Sequence, residues 1–177
     1  MKIHVSSLQL VHDQFATHSP ERVVSLLGPG TEFPVIKGLE PALHHKVELD
    51  DIRKPIDGYV TPEDQHVAEL IEFLRDWNPQ KNLLVHCWAG ISRSSATVMI
   101  AACLHNPDSD ENTIAAAIAD ASPTAYPNTL IISIADSLMK RGGRMSDAAQ
   151  KICDDPERLV KIRSVDGAEP FAIPAKF

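Results

Sequence analysis

His86-Cys87-Trp88-Ala89-Gly90-Ile91-Ser92-Arg93-Ser94 decides the fold of this chain. The apolar run Leu83-Leu84-Val85 precedes it, and the helix-prone run Ser95-Ala96-Thr97-Val98-Met99-Ile100-Ala101-Ala102 follows. A buried strand over 81–86, a tight turn containing Gly90 and a helix starting at Ser92 or Arg93 form an anion-binding cup, because unpaired backbone N–H groups converge at a helix N-terminus. Cys87 stands at the bottom of that cup and Arg93 on its rim. A free thiol is mostly protonated at neutral pH and a poor nucleophile, but converging N–H dipoles and a nearby guanidinium favour the thiolate. Arg93 offers a planar fork of donors that matches two phosphoryl oxygens, which a lysine cannot do. Gly90 lets the backbone turn without a Cβ pointing into the cup.

Outward from this segment, strands and helices alternate. Lys2–Leu8, Arg22–Leu27 and His45–Leu49 read as strands, the second ended by Gly28-Pro29-Gly30. A short helix carrying Val11 and Phe15 ends before Pro20-Glu21. Thr61-Pro62-Glu63-Asp64 reads as a helix start, and Val67, Leu70, Ile71, Leu74 and Trp77 then recur at helical spacing until Asn78-Pro79. The helix behind the loop runs to about Leu104. Beyond it, Asp108 to Asp110 cap a helix whose stripe is Ile114, Ala117, Ile118 and Ala121. Asn128 caps another, with Leu130, Ile131, Ile134 and Leu138 expected inward and Gly142-Gly143 at its end. Ser146 and Asp155-Pro156-Glu157 start two short helices. Strands feeding crossover helices predict an α/β fold, with a mostly parallel central sheet flanked by helices on both faces.

The nine-residue segment resembles the signature of the cysteine-based protein tyrosine phosphatases, His-Cys-x5-Arg-Ser/Thr, and the rest of the loop is most similar to the compact dual-specificity branch. In order of elements the resemblance spans roughly 23–143, although only 86–94 is highly specific. It implies one phosphatase-like catalytic domain over 1–165, followed by an irregular tail over 166–177. It also implies a metal-free, two-step hydrolysis of a phosphomonoester through a phosphocysteine. Cys87 attacks phosphorus, while Arg93 and the loop amides of Trp88, Ala89, Gly90, Ile91, Ser92 and Arg93 hold the equatorial oxygens. Ser94 eases the departure of sulfur, and His86 orders the loop from behind.

An attacking cysteine needs an acid for the departing oxygen, and relatives carry an aspartate a few tens of residues upstream. Asp50, Asp51 and Asp57 are the candidates. In the compact phosphatases the acid follows inward apolar residues at its −4 and −2 positions. Val47 and Leu49 stand so to Asp51, whereas Asp50 follows Lys46 and Glu48. Asp51 is therefore chosen, with Asp50 next and Asp57 read as part of a turn.

The variable loop positions Trp88, Ala89, Ile91 and Ser92 are uncharged. This disfavours a highly anionic substrate and suits a phosphoprotein, phosphotyrosine first, with phosphoserine and phosphothreonine open. Inhibition by phosphate analogues such as vanadate is implied. The net charge of −7 argues against a nucleic-acid partner. No apolar stretch approaches the ~20 residues needed to insert across a membrane, and nothing resembles a signal peptide. With three cysteines at no paired spacing, this gives a cytoplasmic expectation. No histidine has metal-ligand spacing, so neither metal nor cofactor is expected. The alternative class is a catalytically weak or inactive module that binds phosphate or phosphoprotein without turnover. A sulfur transferase fits less well, because its loop is built on a different cysteine-to-arginine spacing.

Overall fold

The computed structural model describes residues 1–177. Its centre is a five-stranded sheet in the order β3-β2-β4-β1-β5. The strands are β1 (Lys2–Ser7), β2 (Arg22–Leu27), β3 (His44–Glu48), β4 (Leu83–Cys87) and β5 (Phe171–Pro174). The first four are mutually parallel, and β5 runs antiparallel against β1, pairing Ile3 with Ile173 and Val5 with Phe171. The tail expected to be irregular thus contributes an edge strand, and Phe171 and Ile173 are buried in the main core.

Period-two alternation sorts the strand residues onto two faces. Ile3, Val5, Val24, Leu26, Leu83, Val85 and Cys87 face the larger core, while Val23 and Leu84 face a smaller cluster with Val11 and Ile36. The helix α1 (Val11–His18) covers the small side. The large side takes α2 (Asp64–Arg75), α3 (Arg93–His105), α4 (Glu111–Ala121), α5 (Thr129–Leu138), α6 (Arg144–Cys153) and α7 (Pro156–Arg163). The α/β architecture with helices on both faces is as expected.

The helix that follows the loop, α3, is buried from Arg93 to Cys103. It packs against β1 and β4 on one side and α2, α4 and α5 on the other. A helix enclosed in this way is apolar or small-residued all round, as Ser94-Ser95-Ala96-Thr97-Val98 and its continuation are. Its C-terminal end is tied by Arg141, which donates to the carbonyls of Cys103 and Pro107 and pairs with the buried Glu111.

Two helix starts and one helix face differ from expectation. The second helix starts at Asp64, with Glu63 at its N-cap, where the Glu63 N–H donates to His66 Nδ1 at 3.1 Å. Thr61 and Pro62 precede it in extended chain. Gly143 is the N-cap of α6, which begins before Ser146. On α5 the inward residues are Ile131, Ile132, Ala135 and Asp136, while Leu138 is exposed and Leu130 and Ile134 are half-buried. Asp136 is held because its carboxylate accepts from the N–H groups of Gly143, Met145 and Ser146, capping α6 from the side.

Candidate active site

Parallel strands deliver their carboxyl ends to one edge of the sheet, and ligand sites form there. Cys87 ends β4, Asp51 follows β3, and Leu8 follows β1. Cys87 and Asp51 meet at a cleft of about 460 Å³ lined by Asp51, Arg53, Cys87, Trp88, Ala89, Ile91, Ser92, Arg93, Tyr126 and Ile162.

The loop is fastened from outside by its carbonyls. Trp88 O accepts from Leu8 N at 3.1 Å, Ala89 O from Ala168 N at 2.7 Å, Ile91 O from Tyr126 N at 3.1 Å and Ser92 O from Asn128 N at 3.2 Å. Across a planar trans peptide, each carbonyl points opposite to the next residue's N–H. Turning these carbonyls outward therefore turns the amides of Ala89, Gly90, Ser92 and Arg93 inward. None of the amides from Trp88 to Ser92 donates to a protein acceptor. With the N-terminus of α3 directly below, the cup presents converging positive dipoles. Gly90 sits at φ +75°, and a Cβ there would lie 3.0 Å from the backbone of Ser6. Only glycine both turns here and lets β1 approach.

Cys87 is buried, and its Sγ lies 3.2 Å from Ser94 Oγ. Arg93 is 6 % exposed; its Nη1 donates to Leu49 O at 2.8 Å, and its buried Nε has no hydrogen-bond partner in the protein. Arg93 Nε lies 4.0 Å from Asp51 Oδ2. Asp51 Oδ1 accepts from Ser92 Oγ at 2.7 Å and from Asn128 Nδ2 at 2.8 Å, while its side chain keeps a third of its surface open to the cleft. Asp50 turns away and accepts from Val60 N at 2.8 Å. Asp57 is exposed and outside the cleft. The cysteine, arginine and serine of the signature and Asp51 thus converge, whereas Asp50 and Asp57 do not join them. Trp88 is 59 % exposed on the rim.

Behind the loop, His86 is fully buried and its ring has two partners. Nδ1 lies 3.3 Å from Cys87 O, and Nε2 lies 2.6 Å from Ser25 Oγ, which is also 2.7 Å from His44 Nε2. Burial pushes both rings down to about 4, so each is neutral at pH 7. A carbonyl only accepts, so His86 carries its proton on Nδ1 and its Nε2 accepts from the Ser25 hydroxyl. The Ser25 oxygen then accepts from the N–H of His44 Nε2. This directed chain runs from β3 through β2 to β4. It holds the Cys87 carbonyl outward and so turns the Trp88 amide into the cup.

The same burial has a consequence for stability. His4, His44 and His86 all sit at about 4 in the fold, against 6.5 for a free imidazole. Protons therefore bind the unfolded chain more tightly. Stability is complete above pH 6.5, declines as pH falls and stops declining from these groups below about 4. For the fully buried His86 the loss amounts to about 3 kcal/mol. Urea unfolding at pH 7, 5.5 and 4.5 should show this decline, and His86→Gln should make it shallower, leaving the part due to His4 and His44.

Several residues at the site were not visible in the sequence. Asn128 reads there only as a cap, a role it also fills by accepting from Leu130 N and Ile131 N. Ser25 and His44 sit on other strands. Arg53, Tyr126 and Ile162 enter the cleft from segments with no motif. No local signal marks any of them. The two remaining cysteines are buried, and burial pushes Cys103 up to about 12 and Cys153 up as well.

The family described as protein-tyrosine phosphatase has a model that matches residues 55–121, a stretch holding the whole loop but beginning after Asp51. No curated protein matches the chain. Among solved structures, DUSP15 is similar at 17 % identity with a TM-score of 0.61, covering 86 % of this chain and 91 % of that one. The Cydia Pomonella PTP-2 phosphatase is similar at 18 % identity and TM-score 0.59, covering 77 % and 85 %. PTPMT1 follows at 13 % identity and TM-score 0.51, covering 80 % and 94 %. At these identities the structures speak for the fold, and the family match speaks for the loop. With the complete His-Cys-x5-Arg-Ser segment folded as an inward-facing amide cup, the chain matches the protein-tyrosine phosphatase family over residues 55–121 and is similar in fold to compact phosphatases such as DUSP15.

Proposed function

We propose that this chain hydrolyses phosphomonoesters on proteins, phosphotyrosine first, by a metal-free route through a phosphocysteine. The observation that carries the reading is the convergence of Cys87 Sγ, the Arg93 guanidinium and the Asp51 carboxyl on one cleft floored by inward amides. In the first step the Cys87 thiolate attacks phosphorus, and the bond to the leaving oxygen breaks as Asp51 gives it a proton. Arg93 and the amides of Trp88 to Arg93 hold the three equatorial oxygens as charge redistributes. In the second step Asp51, now a carboxylate, takes a proton from water as the water attacks the phosphocysteine. Ser94 donates to sulfur as the thiolate leaves. Ser92 and Asn128 hold Asp51 by one oxygen, which leaves the other free for the proton.

No helix of the chain is long and apolar enough to cross a membrane. Three buried, unpaired cysteines suit a reducing compartment, and we place the activity in the cytoplasm.

The test is hydrolysis of p-nitrophenyl phosphate by reduced protein with chelator present. Turnover that vanadate blocks supports the reading, and no turnover by a folded, reduced protein overturns it in favour of a phosphate-binding module. The role of Asp51 has its own signature. In Asp51→Asn, kcat/KM should fall by about 100-fold or more for a phosphotyrosyl peptide and much less for p-nitrophenyl phosphate, whose leaving group needs little protonation. Asp50→Asn should lose only the Val60 contact and show no such dependence.

A further inference from the structure

Arg53 is the one cation in the cleft that the hydrolysis just described does not use. We propose that it forms a second-anion subsite, so that the preferred substrate carries another negative group beside the phosphomonoester. This rests on the phosphatase reading above and adds a substrate class to it.

The side chain is exposed yet held in place. Its guanidinium lies 4.3 Å from the centroid of the Tyr126 ring. Nη2 donates to Tyr126 O at 3.4 Å and to Pro127 O at 3.3 Å, and Nη1 reaches Cys153 Sγ at 3.9 Å. These contacts engage three of the five N–H groups of the fork, leaving the Nε hydrogen and one Nη1 hydrogen for a ligand. No carboxylate pairs with it, although the chain carries a net charge of −7 and four other arginine–carboxylate contacts occur in the fold. An unneutralised charge, immobilised before any ligand arrives, loses little further freedom on binding an anion. The phosphoryl group itself is accounted for by Arg93 and the loop amides, and Arg53 lines the same cleft from the segment after Asp51. The uncharged loop therefore does not make the whole site neutral, because the additional charge comes from outside the loop. An acidic side chain flanking the phosphorylated residue and a second phosphate both supply the required chemistry.

The experiment compares kcat/KM for phosphotyrosyl peptides that differ only in the neighbouring residues, which are alanine, glutamate or phosphothreonine on either side. Wild type should favour an anionic neighbour about tenfold over alanine at low salt, mainly through KM, and the preference should shrink as NaCl screens it. Arg53→Gln should level the series. Arg53→Lys should retain part of the preference, because the charge remains but the stacked fork is lost. The ratio between peptides is the readout, so a variant with less active protein still reports. A preference for glutamate identifies an acidic flank as the source, and one for phosphothreonine alone identifies a doubly phosphorylated segment. Equal rates in wild type, or a preference that survives Arg53→Gln, overturn the proposal. If wild type turns over nothing, the hydrolytic reading fails separately. Titrating the same peptides onto Cys87→Ser with and without Arg53→Gln then decides: a preference lost with Arg53 sustains the subsite, and equal or absent binding overturns it.

Discussion

Replacing Cys87 by serine should reduce turnover to the uncatalysed background, a loss of at least about four orders of magnitude, while leaving the affinity for tungstate unchanged or slightly improved. The surroundings of Sγ are the reason. A thiolate attacks phosphorus directly, but a serine hydroxyl in the same place needs a base to take its proton. No base is placed to do so. His86 is committed to Cys87 O through Nδ1 and to Ser25 through Nε2, and Ser94 is the one side chain within hydrogen-bond reach of the sulfur. Binding survives because the loop carbonyls that set the amide directions are fastened to Leu8, Ala168, Tyr126 and Asn128, none of which depends on sulfur. Removing a negative thiolate also removes its repulsion of the anion. Isothermal titration with tungstate beside a p-nitrophenyl phosphate assay separates the two effects. Measurable turnover in the variant, or a large loss of tungstate affinity, would contradict this account.

The parts of the molecule legible in the sequence are those whose cause is local. The loop could be read because each residue type in it answers a nearby need: Gly90 turns at positive φ against Ser6, and the fully buried β4 precedes a helix N-terminus. The position of Asp51 followed from the phase of Val47 and Leu49, which do bury on the same sheet face as Cys87. Phase failed on α5. In Thr129-Leu130-Ile131-Ile132-Ser133-Ile134-Ala135-Asp136 apolar residues occur on nearly every side, so the sequence admits two faces about one residue apart. Packing against α2, α3 and α6 selects Ile131, Ile132 and Ala135, and the stripe Leu130, Ile134, Leu138 is left at the margin. The edge strand β5 was missed because its four residues carry no turn signal or alternation of their own. It exists because β1 offers an unpaired edge. The remaining site residues were hidden for the same reason at longer range: Asn128 reaches Asp51 across 77 positions, and Ser25 joins His86 across 61.

Arg93→Lys should lower kcat/KM by about three orders of magnitude and weaken tungstate binding at least tenfold, with the fold retained. Arg93 enters the site already half spent. Its Nη1 is bound to Leu49 O, which aims the guanidinium plane, and its buried Nε carries no protein partner, so the fork has unused donors in the cleft. A buried donor without a partner is costly, typically about 1–3 kcal/mol, and an anion bound in the cup would relieve that cost. Lysine ends in a single ammonium on a flexible stem. It can reach Leu49 O or the anion, but it cannot hold a carbonyl with one nitrogen while presenting two parallel N–H groups to phosphoryl oxygens. The total charge of the site is unchanged by this substitution, so any loss measures geometry. Because the equatorial oxygens spread into one plane on the way to the transition state, where a planar fork meets them best, kcat should fall by more than KM rises. If KM alone changed, Arg93 would be acting as a simple counter-ion, and the amide cup would have to supply the transition-state stabilisation unaided.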